Sequence, residues 1–148
     1  SEKKGLQARL FHILESGTYA CSMQLNPQDL VVALQLAFRP GLTFRNLADT
    51  LGLSASAVHR SVTRAKASGL LLSDRQPNRP AILEFVLHGV RYAFPPVRGG
   101  ITRGMPTAHA ARADAKLYQC LSLIDALRGG RARERNLAKE HLTRLLNG

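Results

Sequence analysis

Residues 43–70 read TFRNLADTLGLSASAVHRSVTRAKASGL, and their pattern decides the fold. Thr43 is placed to cap a first helix that carries Leu47 and Ala48 on its inner face. Leu51-Gly52-Leu53 forms a tight connection, where glycine supplies the positive φ that such a turn needs. Ser54 then caps a second helix by accepting from the orphan N–H groups of its first turn. On that helix Val58, Val62 and Ala65 recur at helical spacing and are expected to face a core. Ser56, His59, Arg60, Thr63 and Arg64 fall on its other faces. Gly69 stands where a helix ends in a left-handed residue. The result is a short polar and basic helix held by a helix packed across it. That geometry places side chains in the major groove of duplex DNA.

The ordered combination is more specific than its periodicity alone. It runs from a capped short helix through a Leu-Gly-Leu turn and a second serine cap to Val-x-x-x-Val and Gly-Leu-Leu. It resembles the winged helix-turn-helix transcriptional regulators of bacteria and archaea, in the broad MarR-like grouping. The turn pattern of that grouping, L-G-[LV]-S-x-[ST]-x-[VI]-x-[RK], is met by Leu51, Gly52, Leu53, Ser54, Ser56, Val58 and Arg60. Ala65 departs from it, standing where a larger apolar residue is usual. The resemblance covers residues 28–80 and implies a DNA-binding regulator.

Composition points the same way. The chain has 148 residues, with Lys+Arg at 21 against Asp+Glu at 10 and a formal charge of +11. Sixteen of the cations are arginine, whose planar fork grips phosphate or guanine where lysine offers a point charge. A balance this basic favours an anionic polymer as partner. Hydrophobic residues make up 45% of the chain, enough for a packed core in one domain with extensions. Cys21 and Cys120 lack metal-type spacing and read as buried thiols in a reducing compartment. No secretory signal or apolar run of ~20 residues is visible, so the expected location is cytoplasmic.

Outward from the motif, Leu6, Leu10, Ile13 and Leu14 predict a helix over 3–16. Residues 18–25 read as a connector. Asn26-Pro27 starts a helix that runs to about Phe38 and ends at Pro40-Gly41. After Gly69, Leu70-Leu71-Leu72-Ser73 reads as a strand. Asp74 to Pro80 (DRQPNRP) reads as the tip of a wing, where arginine suits the phosphate backbone or the minor groove. Residues 80–88 fit a strand or, better, a short helix started by Pro80 and stopped by Gly89; with a helix there, the wing is truncated or its return strand is Arg91–Phe94. Residues 91–106 are basic and rich in proline and glycine, read as strand, loop, strand. Helices follow over 107–127 and 131–146, separated by Arg128-Gly129-Gly130.

The expected fold is therefore mainly α with a small β wing: a winged helix-turn-helix with additional C-terminal helices. Residues 1–25 form an N-terminal helix and connector, 26–94 the DNA-binding domain, and 95–148 a basic arm with C-terminal helices. The residues expected at duplex DNA are Thr43, Arg45, Ser54, Ser56, His59, Arg60, Thr63 and Arg64, with Arg75, Asn78 and Arg79 from the wing. Leu137, Leu142 and Leu145 form an apolar stripe expected to be a homodimer interface, since two-fold half-sites favour two-fold proteins.

Catalysis is not expected. The five histidines form no repeated metal-ligand pairing, and no nucleophile elbow or carboxylate cluster stands out. No cofactor, metal or membrane partner is read from the chain, and no effector is identified. The expected role is a transcriptional repressor. The alternative is a winged-helix interaction module such as an antitoxin or assembly factor. The two differ in whether duplex affinity falls steeply with salt.

Overall fold

A computed structural model of the chain describes residues 24–96 and 114–148. The expected helix over 3–16, most of the 18–25 connector and the segment 97–113 lie outside the described residues. Helix α1 spans Pro27–Phe38, α2 Phe44–Leu51 and α3 Ala55–Ala67. Helix α4 (Arg79–Glu84), a π-helical turn (Phe85–Gly89) and α5 (Val90–Ala93) follow one another without a break. Helices α6 (Ala115–Gly129) and α7 (Ala132–Asn147) close the molecule.

Helix α1 is the centre. Asp29 through Ala37 are all buried, so the helix has no solvent face, as expected of one surrounded by others. It packs against α2, α3, α4 and α6. Its start is set by Pro27 in the first turn and by Asp29, whose carboxylate accepts the Asn26 N–H at 2.7 Å.

The helix-turn-helix forms for the reasons its residues supply. Thr43 accepts from the Asn46 N–H at 3.2 Å and Ser54 from the Ala57 N–H at 3.2 Å. Gly52 takes a left-handed conformation at φ 65°, which lets the Leu53 N–H return to the Ala48 carbonyl at 2.9 Å. Val58, Ser61, Val62 and Ala65 form the buried face of α3. Ser61 is tolerated there because Gln28 Nε2 donates to its hydroxyl at 3.0 Å. Ala65 is fully buried, and its carbonyl accepts from both Leu70 and Leu71 N–H as the chain reverses at Gly69.

The wing is smaller than the sequence suggests. Among the described residues there is no strand, only a single antiparallel bridge between Leu71 and Pro77. The apolar run 70–73 is diverted from a ladder by its own surroundings. Leu70 and Leu71 send their N–H groups back to Ala65, Gln76 N–H goes to the Asp74 carboxylate, and Pro77 has no N–H to give. Leu72 N–H to Gln76, Arg75 N–H to Leu72 and Asn78 N–H to Leu70 are the backbone bonds that hold the turn.

The helix expected over 80–88 is present and continues past Gly89 through Val90–Ala93, so Arg91–Phe94 supplies no return strand and the wing is truncated. Asn78 caps it and Pro80 sits in its first turn. It survives Gly89 by widening into the π turn, where the Phe85 ring closes over the glycine. A Cβ at position 89 would lie 2.8 Å from that ring.

Helix α6 runs through Gly129, past the expected break at Arg128. It is capped by Asp114, which accepts from the Lys116 and Leu117 N–H groups. Helix α7 begins with the Arg131 N–H on Glu134 at 2.8 Å. Leu117, Cys120, Leu121, Ile124 and Leu127 of α6 join Ala138, Leu142 and Leu146 of α7 in the same core as α1. Burial pushes the Cys120 thiol up to about 12, so it is protonated and inert at neutral pH. Helix α6 rests on α1 and α7 on α4. The C-terminal pair completes the helix-turn-helix core.

Candidate nucleic-acid interface

The outer face of α3 is polar and basic from end to end. Ser56, His59, Arg60, Thr63 and Lys66 are all exposed, opposite the buried Val58–Val62–Ala65 side. Between Ser54 and Ser73 the chain has no carboxylate. Ser54 and Ser56 lie 3.3 Å apart hydroxyl to hydroxyl at the N-terminal end. This is the end where a reading helix meets base edges and where its dipole favours phosphate. Thr63 donates its hydroxyl to the His59 carbonyl at 2.9 Å. Arg60 has neither ion pair nor side-chain hydrogen bond among the described residues. Thr43 and Arg45 are exposed at the start of α2.

A stack joins α2, α3 and the turn. The His59 ring lies parallel to Phe44, with centroids 5.1 Å apart and 16° between planes. The Arg75 guanidinium lies over the same Phe44 ring at 4.5 Å. Arg75 reaches it from a left-handed backbone at φ 65°, which a non-glycine residue adopts at a cost of about 1–3 kcal/mol. Its Nη1 is buried without a hydrogen-bond partner. Cation–π attraction offsets part of that cost. The stack ties the tip of the turn to the side of α3.

Three of the residues expected at DNA are engaged inside the molecule. Arg64 grips Asp29 through both ends of its fork, Nε to Oδ2 at 2.8 Å and Nη2 to Oδ1 at 2.9 Å. Asp29 is fully buried. That hydrogen bond raises the Arg64 pKa above its usual value, against the opposing effect of burial. Arg79 donates from Nη2 to the Ala37 carbonyl at 2.6 Å and from Nη1 to the Leu146 carbonyl at 3.0 Å. It thereby serves the C-terminal ends of α1 and α7, whose last carbonyls have no partner within their helices. Asn78 accepts from Ala81 N–H and donates to the Gly69 carbonyl at 3.0 Å, closing the turn.

The Asp29–Arg64 pair is not among the contacts expected from the sequence. Its signal was a carboxylate near the head of an otherwise apolar run, PQDLVVALQLAF, since a buried acid requires a partner. Of the three leucines on α7, Leu142 is fully buried, Leu145 half-buried, and Leu137 is 50% exposed. Leu142 therefore faces its own chain. No group of three metal-ligating side chains forms among the described residues, and no described helix is long and apolar enough to cross a membrane.

No curated protein and no solved structure matches the chain. The MarR family model matches residues 23–80, the span from the residues before α1 to the first turn of α4. With its two capped helices, its Gly52 turn and the buried face of α3, this segment groups with the MarR-like winged-helix transcriptional regulators.

Proposed function

We propose that the protein binds duplex DNA in a sequence-specific manner and regulates transcription, with α3 in the major groove. The observation that carries this reading is the division of α3. One side is wholly buried against α1 and α2, and the other offers Ser56, His59, Arg60, Thr63 and Lys66 with no acid among them. Arg60 and Ser56 are one turn apart and suit base-edge contact. Thr43, Ser54 and Arg45 suit phosphate. Arg75 stays beside α3 through the Phe44 stack and extends the basic surface. Arg64, Asn78 and Arg79 support the interface by holding its parts.

Repression in the cytoplasm is the mode this reading favours, because a bound protein blocks polymerase without further parts. A homodimer is part of the reading. Leu137 and the edge of Leu145 form its apolar contact, and Leu142 holds α7 in place behind them. Selection of duplexes from a random pool by the purified protein tests the whole. The expected result is one enriched motif, an inverted repeat, with affinity falling log-linearly with salt at about −0.9 per phosphate contact. Leu137→Asp should then yield folded monomers by sedimentation, with weaker operator binding. A pool that stays random, with salt-independent retention, overturns the reading.

One observation favours a second reading as a protein-interaction module. Arg75 and Arg79 of the turn are engaged with Phe44 and with helix-end carbonyls. A protein that binds no duplex at low salt selects that reading.

A further inference from the structure

A cavity of ≈ 90 Å³ lies between the π turn with α5 on one side and helices α6 and α7 on the other. Its polar lining is His88, Arg91, Tyr92, Arg135 and Lys139, and Leu127 contributes to its apolar wall. Among the described residues no carboxylate lines it. The acids of the two C-terminal helices and their cap are engaged elsewhere. Asp114 pairs with Arg39, Asp125 with Arg128, and Glu140 with Arg144, while Glu134 accepts the Arg131 N–H. Arg135 and Lys139 stand at i and i+4 on α7, a like-charge spacing that destabilises a helix unless something relieves it. Arg135 is anchored by one bond, Nη1 to the Gly130 carbonyl at 2.7 Å, which fixes its fork and leaves the other N–H groups to the cavity. Among the described residues, neither Arg91 nor Lys139 has an ion pair or side-chain hydrogen bond.

A second observation points to the same place. The π turn Phe85–Gly89 contributes His88 and the adjoining apolar wall of the cavity. Such widened turns cost helix geometry and concentrate at functional sites. Here the turn is held open by the Phe85 ring over Gly89. It sets His88 beside Arg91 and Tyr92, facing the cations of α7.

We propose that this cavity binds a small tetrahedral oxyanion of the phosphate class, either a free phosphate or the phosphoryl group of a small ligand. Three permanent cations with no counter-charge among the described residues match a dianion. The Arg135 fork and the point charge of Lys139 match its several acceptor oxygens. The volume suits the phosphoryl group and leaves a nucleotide outside. A phosphate of the DNA backbone shares this chemistry. The cavity is lined by the π turn, α5, α6 and α7 and by no residue of α2 or α3, so it is separate from the proposed reading surface. The inference does not depend on DNA binding.

Titration of the full chain with inorganic phosphate, at constant ionic strength set by chloride, tests it by calorimetry. Saturable one-to-one binding is expected. Arg91→Gln with Lys139→Gln should weaken it by about tenfold or more, the scale of a lost charge-assisted hydrogen bond. Lys139→Arg should retain it. These side chains stand at the surface, so melting curves without phosphate should coincide. Lys139→Gln alone provides the same readout if the double variant melts early. Binding assays on the selected duplex in phosphate-free buffer identify the source. Unchanged DNA affinity in the double variant marks a free ligand. Joint loss of DNA and phosphate binding marks the DNA backbone. Heats that do not saturate, or that are equal in wild type and both Gln variants, overturn the proposal.

Discussion

Helix α3 and the turn that follows it, taken through the start of α4, carry two arginines each, and the two regions use them differently. The helix divides its pair. Arg60 points to solvent, while Arg64, one turn on, reaches behind the helix to the buried carboxylate of Asp29. The turn keeps both of its arginines for the protein: Arg75 lies on Phe44 and Arg79 binds two helix-end carbonyls. An arginine in a basic stretch is thus not by itself a contact to an anionic partner molecule. Four residues along a helix rotate a side chain by about 40° from its predecessor. That offset is enough to turn one guanidinium outward and let the next find an acid.

The comparison breaks most visibly if the inward arginines are dispensable. Asp29→Ala leaves the Arg64 guanidinium half-buried and alone, and should cost ~3–5 kcal/mol in denaturant unfolding. Asp29→Leu with Arg64→Met should recover much of that loss, because an apolar pair replaces a buried ionic one at little cost. If Asp29→Ala is neutral, Arg64 is available to DNA after all.

Arg79→Ala should be next in size. It strips a charged donor from Ala37 and Leu146, and a loss of ~2 kcal/mol in thermal or denaturant stability is expected. DNA affinity per folded molecule should barely move. The reverse pattern, normal stability with weakened duplex binding, would return Arg79 to the interface.

Arg60→Ala should show the opposite signature. Folding stability should stay within about 0.5 kcal/mol, as for other surface substitutions. Operator affinity should fall by ~1–3 kcal/mol with relaxed preference at one base position. Unaltered binding by a folded Arg60→Ala protein removes α3 as the reader.

The smallest effect belongs to Arg75→Ala. It trades a cation–π contact against relief of a buried unpaired N–H. The net stability change should be under ~1 kcal/mol. If its charge also reaches a phosphate, the salt slope falls by about one. A drop of two or more shows that the whole turn has lost its place.

Much of the motif was legible because local chemistry fixes it. Thr43, Ser54 and Asn78 each cap a helix by accepting an N–H three residues on. Gly52 has the left-handed backbone its position in the turn calls for. The buried face of α3 follows from Val58, Val62 and Ala65. What the sequence concealed depends on distant partners. Whether Leu70–Ser73 becomes a strand is decided by the Ala65 carbonyl and by Pro77. Whether Arg91–Phe94 is strand or helix is decided by how Phe85 packs on Gly89. Leu142 shares the apolar stripe of α7 with Leu137, yet only the packing of α7 on α6 and α4 distinguishes the residue inside from the one outside. The destinations of Arg64 and Arg79 lie 35 and 67 residues away and leave no local trace.

The span bridged by Arg79 has a consequence for how the protein is made. Its acceptor on Leu146 is among the last residues of α7, so a nascent chain that has already emitted the whole helix-turn-helix still holds an arginine with half of its partners unsynthesised. Contacts of such long sequence separation form late, since the loop between them must close first. Prematurely terminated copies carry α3 without the brace behind it and are open to proteolysis.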